Sequence, residues 1–249
     1  GLAIACGPIV GGGLTSGLSW RWIFFINLPV GVVALVVSAL RLDESLDLQA
    51  RRADVAGLIT FTVAMGALVL SIIRGNDSGW SSGSELALYA VAVVMLLAFL
   101  SIERARGATA MFDLSLFRNP TFVGMSAVAL IANGAGLPSV FIETNYVENL
   151  MHISAWGAGL RFLPLTLALF VFGAVSGSLI GKVPFRALMG VACLALGVGL
   201  LLTRLSGANS VWTALIPSMI VTGMGMGMFN PVRAALAIGI TKPSKAGMA

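Results

Sequence analysis

Few residues in this 249-residue sequence could do chemistry, and they are widely spaced. The most patterned are glycines. Gly7-Pro8-Ile9-Val10-Gly11-Gly12-Gly13, continuing to Gly17, places Gly7 and Gly11, and again Gly13 and Gly17, four residues apart. On a helix that spacing puts each pair on one face, where another backbone can approach closely. Pro8 removes one backbone donor and bends the helix. The chemistry implied is mechanical: a helix that packs tightly or slides against a neighbour. The expected contact face runs through Gly7 and Gly11. Gly31, which follows Pro29 with no small partner at that spacing, should lie outside it. Gly173, Gly177 and Gly181, and later Gly223 and Gly227 with Gly225 between, repeat the theme. Static packing and rocking both fit these faces.

Polar groups inside apolar runs are the second class. Asn133, Asn230 and Arg233 lie within such runs, and Glu143 sits at the end of one. Ionisable groups at membrane depth face a cavity or a partner, so Glu143 and Arg161 form a candidate polar pair. The alternative is that both reach the headgroups. Arg233 precedes Ile240 by about 7 residues, roughly 10 Å at the helical rise, and can either snorkel to the interface or face a substrate path. His152 has no second His or Cys at ligand spacing, and Cys6 and Cys193 both lie in apolar runs. The sequence therefore offers no metal site, cofactor site or disulfide framework. It has no nucleophile and base pair. Gly223-Met224-Gly225-Met226-Gly227 follows no strand and is not a dinucleotide fingerprint. An enzyme would need acids or histidines clustered at one face, and here they are scattered, so the expected protein is not an enzyme. With no nucleotide site, an ion gradient is the remaining drive for any transport.

The elements that must carry these residues follow from composition. Hydrophobic residues make up 58% and charged residues 10%, with a mean hydropathy of +0.98, against about 25% charged residues in a soluble domain. A hydrocarbon core needs about 20 apolar residues per helix. Uncharged runs of that order occupy 1–20, 22–40, 55–73, 86–102, 119–142, 162–181, 187–203 and 205–232. The fold class is an all-α, polytopic transmembrane helix bundle. No room is left for a sizeable soluble domain. The net charge of +5 then reads as membrane topology, and a nucleic-acid partner is excluded.

Alternate connections differ in charge. One set holds ten Lys and Arg (Arg41, Arg51, Arg52, Arg104, Arg106, Arg118, Lys182, Arg186, Lys242, Lys245), the other four (Arg21, Arg74, Arg161, Arg204). The positive-inside rule places the ten in the cytoplasm. Trp20, Trp22, Trp80, Trp156 and Trp212 then fall at outer span ends, as an aromatic belt requires. Asp54 can cap the third helix, Asn119-Pro120 opens the fifth, and Ser154 precedes the sixth, whose first turns hold Arg161 and Pro164. Met111 to Arg118 suits a short helix in the membrane interface. The sequence starts at Gly1 inside an apolar run with no targeting signal, and is expected to be a piece of a longer membrane protein.

Gly7-Pro8-Ile9-Val10-Gly11-Gly12, followed by Trp20-Arg-Trp-Ile-Phe-Phe-Ile-Asn-Leu-Pro-Val-Gly31, resembles the antiporter motif of the fifth helix and the start of the sixth in drug/proton antiporters of the major facilitator superfamily, fourteen-helix branch. The segment from Asp113 to Phe122, Gly157-Ala-Gly-Leu-Arg-Phe-Leu-Pro164 and Gly223 to Pro231 fit the later pattern. Ala3 stands where a glycine is expected. The resemblance implies helices five to twelve of fourteen, an incomplete bundle of the major facilitator type. Residues 1–40 would end the N-terminal six-helix bundle, 41–110 would carry two extra central helices, and 111–249 would begin the C-terminal bundle. It further implies a transporter alternating access about a central site, working as a proton-coupled exporter of hydrophobic or cationic drugs. Its partners would be a small-molecule substrate, protons and the lipid bilayer of a cell membrane, bacterial and inner. Gly7, Pro8, Gly11 and Gly12 would be its motif residues. Export of an endogenous antibiotic or siderophore, and a non-transporting membrane protein on the same bundle, are the alternatives.

The charge asymmetry gives the first prediction. In a cysteine-free background of intact cells, a membrane-impermeant thiol reagent should label Ser81→Cys and Asn149→Cys but not Gln49→Cys or Arg118→Cys. Labelling of Gln49→Cys without Ser81→Cys would reverse the orientation.

Overall fold

The computed structural model describes residues 2–41, 54–107, 112, 114–207 and 211–240; Gln49, Met111 and Asp113 lie outside them. Among the described residues the regular structure is helical. It begins with α1 (Leu2–Gly17), a single turn α2 (Trp22–Phe25), α3 (Asn27–Arg41), α4 (Val55–Ser78) and α5 (Gly83–Arg106). After a 3-10 segment (Leu114–Arg118) come α6 (Pro120–Asn145), a π-helical turn (Tyr146–Leu150), α7 (Ala155–Arg161), α8 (Leu163–Leu179), α9 (Phe185–Leu202) and, after two more 3-10 turns, α10 (Ile216–Ile240).

Each apolar run of the sequence becomes helix, but not each becomes a straight span. Among the described residues six helices are long and apolar enough to cross a membrane: Trp22–Arg41, Val55–Ser78, Gly83–Arg106, Pro120–Leu150, Phe185–Leu205 and Trp212–Ala237. The run expected at 162–181 starts earlier and is broken. α7 and α8 meet at Phe162 with a bend of 42°, and Pro164 stands in the first turn of α8, where its missing N–H breaks no helical bond. Together they can make a seventh span. α1 has 16 residues, about 24 Å at the helical rise, short of a hydrocarbon core of about 30 Å. The run expected at 205–232 is displaced: its long helix is α10, which continues to Ile240.

The helix starts follow the capping residues. The Asp54 carboxylate accepts from Gly57 N at 2.7 Å, Asn119 Oδ1 accepts from Thr121 N at 2.9 Å, and Ser154 Oγ accepts from Gly157 N at 3.2 Å. Each pairs a backbone donor that the first helical turn leaves without a partner. The interfacial helix expected over 111–118 is a 3-10 helix of five residues, carrying a ring ladder in which Phe117 lies 5.7 Å from Phe112 and 5.4 Å from Phe122.

The chain forms two compact units. The smaller contains α4, α5 and the segment up to Val123. α4 ends at Gly79 and α5 at Gly107, both at positive φ (81° and 54°), where glycine avoids the Cβ clash. Beyond α5, Phe112 N donates to the buried Glu103 carboxylate at 2.9 Å. Arg106 reaches back to Asp54 at 3.0 Å. At the other end Arg74 lies 3.8 Å from the fully buried Glu85, and Trp80 packs over Gly75. A Cβ on Gly57 would stand 2.8 Å from Asp54 Oδ2 and 2.9 Å from Glu103 Oε1. A glycine there lets both carboxylates close over the start of α4.

The larger unit contains α1 to α3 and the described chain from Gly124 through α10. α10 is its axis. Leu165 O and Leu169 O of α8 sit where Gly223 and Gly227 lack side chains, while Gly225 faces Leu196 and Ala192 of α9. Around this axis Ala132, Leu188, Ala192, Leu196, Phe229 and Val232 form one buried cluster. Val147, Ala158, Phe162, Leu165, Leu215 and Met219 form another. α3 contributes no buried residue; its side chains, such as Leu35 and Leu40, are fit for contact with lipid.

The Asp54 contacts yield a stability prediction. Asp54→Ala should destabilise the α4–α5 hairpin by about 1 kcal/mol, the usual cost of a lost helix cap, and speed hydrogen exchange at Gly57 N–H. Asp54→Asn should keep most of that protection, because an amide oxygen at the same position can still accept from Gly57 N. Equal loss in both variants would transfer the effect to the ion pair.

Candidate functional site

The glycine-rich helix α1 meets α7 backbone to backbone. A Cβ on Gly12 would run into the carbonyl of Ala155, a Cβ on Gly159 would run into the carbonyl of Pro8, and Gly13 faces the Trp156 ring. One turn further, Ser16 Oγ accepts from Trp156 N at 2.9 Å. Pro8, Gly12 and Ser16 are four residues apart, as are Ala155 and Gly159, so two stripes of small residues are pressed together. This corrects the expected face. Gly7, Gly11 and Gly17 have nothing within 4 Å of a Cβ position, and the contact passes one residue round the helix, through Pro8 and Gly12. The spacing alone could not select between the stripes, since several glycine registers fit a four-residue repeat. The overlooked signals were Ser16 completing the Pro8–Gly12 stripe and Ala155–Gly159 forming its mate.

Gly11 instead opens onto a cleft of about 460 Å³. One wall is α1 with Gly11 and Thr15, beyond which Trp20 and Ile23 contribute; the second is α6 and its π turn, presenting Val140, Thr144 and Glu148. The floor is α7, ending at Phe162. Val140 and Thr144 keep to one face of α6 by their spacing of four, and Glu148 follows them in the π turn. The π turn then closes that helix, followed by His152, an exposed non-glycine residue at φ 54°.

The remaining candidates are spread out. Glu143 is buried at 6% exposure, and neither carboxylate oxygen has a hydrogen-bond partner among the described residues. Arg161 donates from Nη1 to Gly157 O at 3.0 Å and lies over the Trp212 ring at 5.4 Å. Its buried Nε has no such partner among the described residues. Glu143 and Arg161 are therefore not joined as the pair that sequence placement suggested: the arginine head is taken by a carbonyl of its own helix and an aromatic face. Asn133 and Asn230 come together at a small gap beside Leu196 and Phe229. Each returns its amide to its own helix, Asn133 to Ala129 O at 2.8 Å and Asn230 to Met226 O at 3.2 Å. Arg233, half-buried, lies over the Phe229 ring at 5.9 Å.

The family model described as Major Facilitator Superfamily matches residues 1–249. A multidrug resistance protein, Stp, of Mycobacterium tuberculosis is 30% identical over 98% of this chain and 45% of its own length. A multidrug transporter protein, MdtP, of Bacillus subtilis is 25% identical over 93% and 43%. The methylenomycin A resistance protein of Streptomyces coelicolor is 28% identical over 98% and 51%. The chain spans about half the length of these curated relatives.

The α1–α7 contact predicts how the glycines rank. Gly12→Leu should cost about 1–3 kcal/mol, as overpacking does, and release the Ser16 to Trp156 contact. Gly11→Leu and Gly31→Leu, which point into open space, should stay within about 0.5 kcal/mol of the unaltered chain. Reversible unfolding in bicelles measures this. Equal losses at Gly11 and Gly12 would show that the close approach is not what the helix depends on.

Proposed function

Since the chain belongs to the Major Facilitator Superfamily and is a multi-pass membrane protein, we propose that it is the central part of a secondary active exporter of hydrophobic or cationic drugs, driven by exchange with protons. The observation that carries this reading is the seam between α1 and α7. The glycine-rich motif lies on α1 and presses through bare backbone on a helix more than a hundred residues away. A seam that meets mainly through backbone leaves few side chains to unlock when the two helices shift, which is what alternating access asks of helices on either side of a substrate path. Relatives described as multidrug transporter and multidrug resistance proteins support the choice of cargo. A second reading, export of a metabolite made by the same cell, is favoured by relatives described as a methylenomycin A resistance protein and a dehydrocurvularin exporter.

In this reading the 249 residues supply α1 and α3 of the first bundle, α4 and α5 as added helices, and four spans of the second bundle. Helices that complete both bundles, and the acid that carries the proton, would lie outside it. Reconstituted alone in proteoliposomes with an imposed pH gradient, the chain should move no fluorescent cationic dye. Carried within a protein that supplies the remaining helices, it should extrude the dye until a protonophore collapses the gradient. Gradient-dependent dye movement by the chain alone would refute this placement of the working residues. Extrusion by the complete protein that ignores the protonophore would refute proton coupling. In a pump-deleted bacterium, protection against a drug panel separates the first reading from the second.

A further inference from the structure

We propose that the cleft between α1, α6 and α7 binds a lipophilic organic cation, with Glu148 as the residue that selects for positive charge. This deepens the efflux reading and rests on it for the physiological meaning of the site, but the binding itself is testable apart from transport.

Three observations converge. The first is size: about 460 Å³ falls within the range of roughly 300–1,000 Å³ typical of small-molecule sites. The second is charge. Glu148 is the one charged side chain among the residues lining the cleft. It is half-buried, and no ion pair involving it is formed among the described residues. The third is the surrounding surface. The rest of the wall is apolar or aromatic, with Trp20 at one end and Phe162 at the other. Thr15 and Thr144 add hydroxyls, and that of Thr144 already donates to Val140 O at 2.7 Å. An uncompensated carboxylate at an apolar cleft disfavours anions, tolerates neutral molecules and rewards a cation whose charge is wrapped in apolar groups. Aromatic rings hold such cations through their faces, although Arg21 already lies over the Trp20 ring at 4.9 Å. Phe162, 3% exposed, closes the wall at its other end as part of the buried core.

The cleft also depends on a missing side chain. Gly11 lines it and has nothing within 4 Å of a Cβ position, so a leucine there would project into the space without pushing against the backbone of α7. The glycine cluster thus has two separate uses one residue apart, with Gly12 closing the helix contact and Gly11 leaving the cleft open.

A matched pair of probes tests this. Tetraphenylphosphonium and tetraphenylborate share a shape and differ in the sign of charge. Binding of each to the chain in lipid nanodiscs is followed by tryptophan fluorescence and corrected against empty nanodiscs. The unaltered chain should bind the cation and discriminate against the anion. Glu148→Gln should weaken the cation by roughly tenfold or more, equivalent to about 1.4 kcal/mol, and reduce the discrimination. Glu148→Asp should retain most of it, which separates loss of charge from loss of fold. Gly11→Leu should abolish binding of the cation while leaving the unfolding midpoint unchanged. Tetraphenylphosphonium binding that is undetectable in the unaltered chain, or equal in Glu148→Gln, would overturn the proposal. Failure of the two readings is distinguishable. Proton-driven export by the complete protein with Glu148-independent binding keeps efflux and removes the cleft. Glu148-dependent binding without proton-driven export keeps the cleft and removes the efflux reading.

Discussion

Carbonyl oxygens seated where side chains are missing hold the larger unit together. Pro8 O against Gly159, Ala155 O against Gly12, and Leu165 O and Leu169 O against Gly223 and Gly227 are the same contact made repeatedly. In lipid, helix association gains nothing from removing apolar surface from water, so van der Waals contact at short backbone separation must supply it. α10 can therefore lie between α8 and α9 with glycines turned to both, and the buried clusters on either side form around it.

The same economy of side chains shapes the cleft. With α1 fixed to α7 through Pro8, Gly12 and Ser16, the adjacent face of α1 is left opposite α6, and Gly11 keeps it empty. The cleft walls therefore come from two stretches far apart in sequence, residues 8–23 and 140–162, and its charged group comes from the π turn that ends α6. A side chain at Gly12 would separate α1 from α7 and alter this geometry, whereas one at Gly11 would change only the cleft's volume. Cleft space and helix packing fall to neighbouring glycines of one motif.

The smaller unit solves a different problem, that of keeping a two-helix hairpin together. Its buried acids are placed at the helix ends, with Asp54 near Arg106 and Glu85 near Arg74. Asp54 pairs a helix donor and a guanidinium through the same oxygen, and Glu103 ties the following segment to α5 through Phe112 N. Charges at these positions cost less than at mid-membrane, and they set where each helix begins and stops.

The order and helical nature of the spans were legible in the sequence because hydrocarbon thickness fixes how long an apolar run must be, and because Asp54, Asn119 and Ser154 are capping residues wherever a helix follows them. Membership in the family was legible through Gly7-Pro8-Ile9-Val10-Gly11-Gly12, a pattern that survives without any knowledge of contacts. Tertiary structure decided which glycines touch. A four-residue repeat defines several parallel stripes on one helix, and only the position of α7 selects Pro8–Gly12–Ser16 over Gly7–Gly11. It also decided that Arg161 lies against Trp212 rather than Glu143, since a long side chain is captured by whichever partner the neighbouring helices bring within reach. The placement of Glu148 was hidden for the same reason: in sequence it is one more acid near a helix end, and it becomes the single charge lining a cleft only when α1 and α7 close around it.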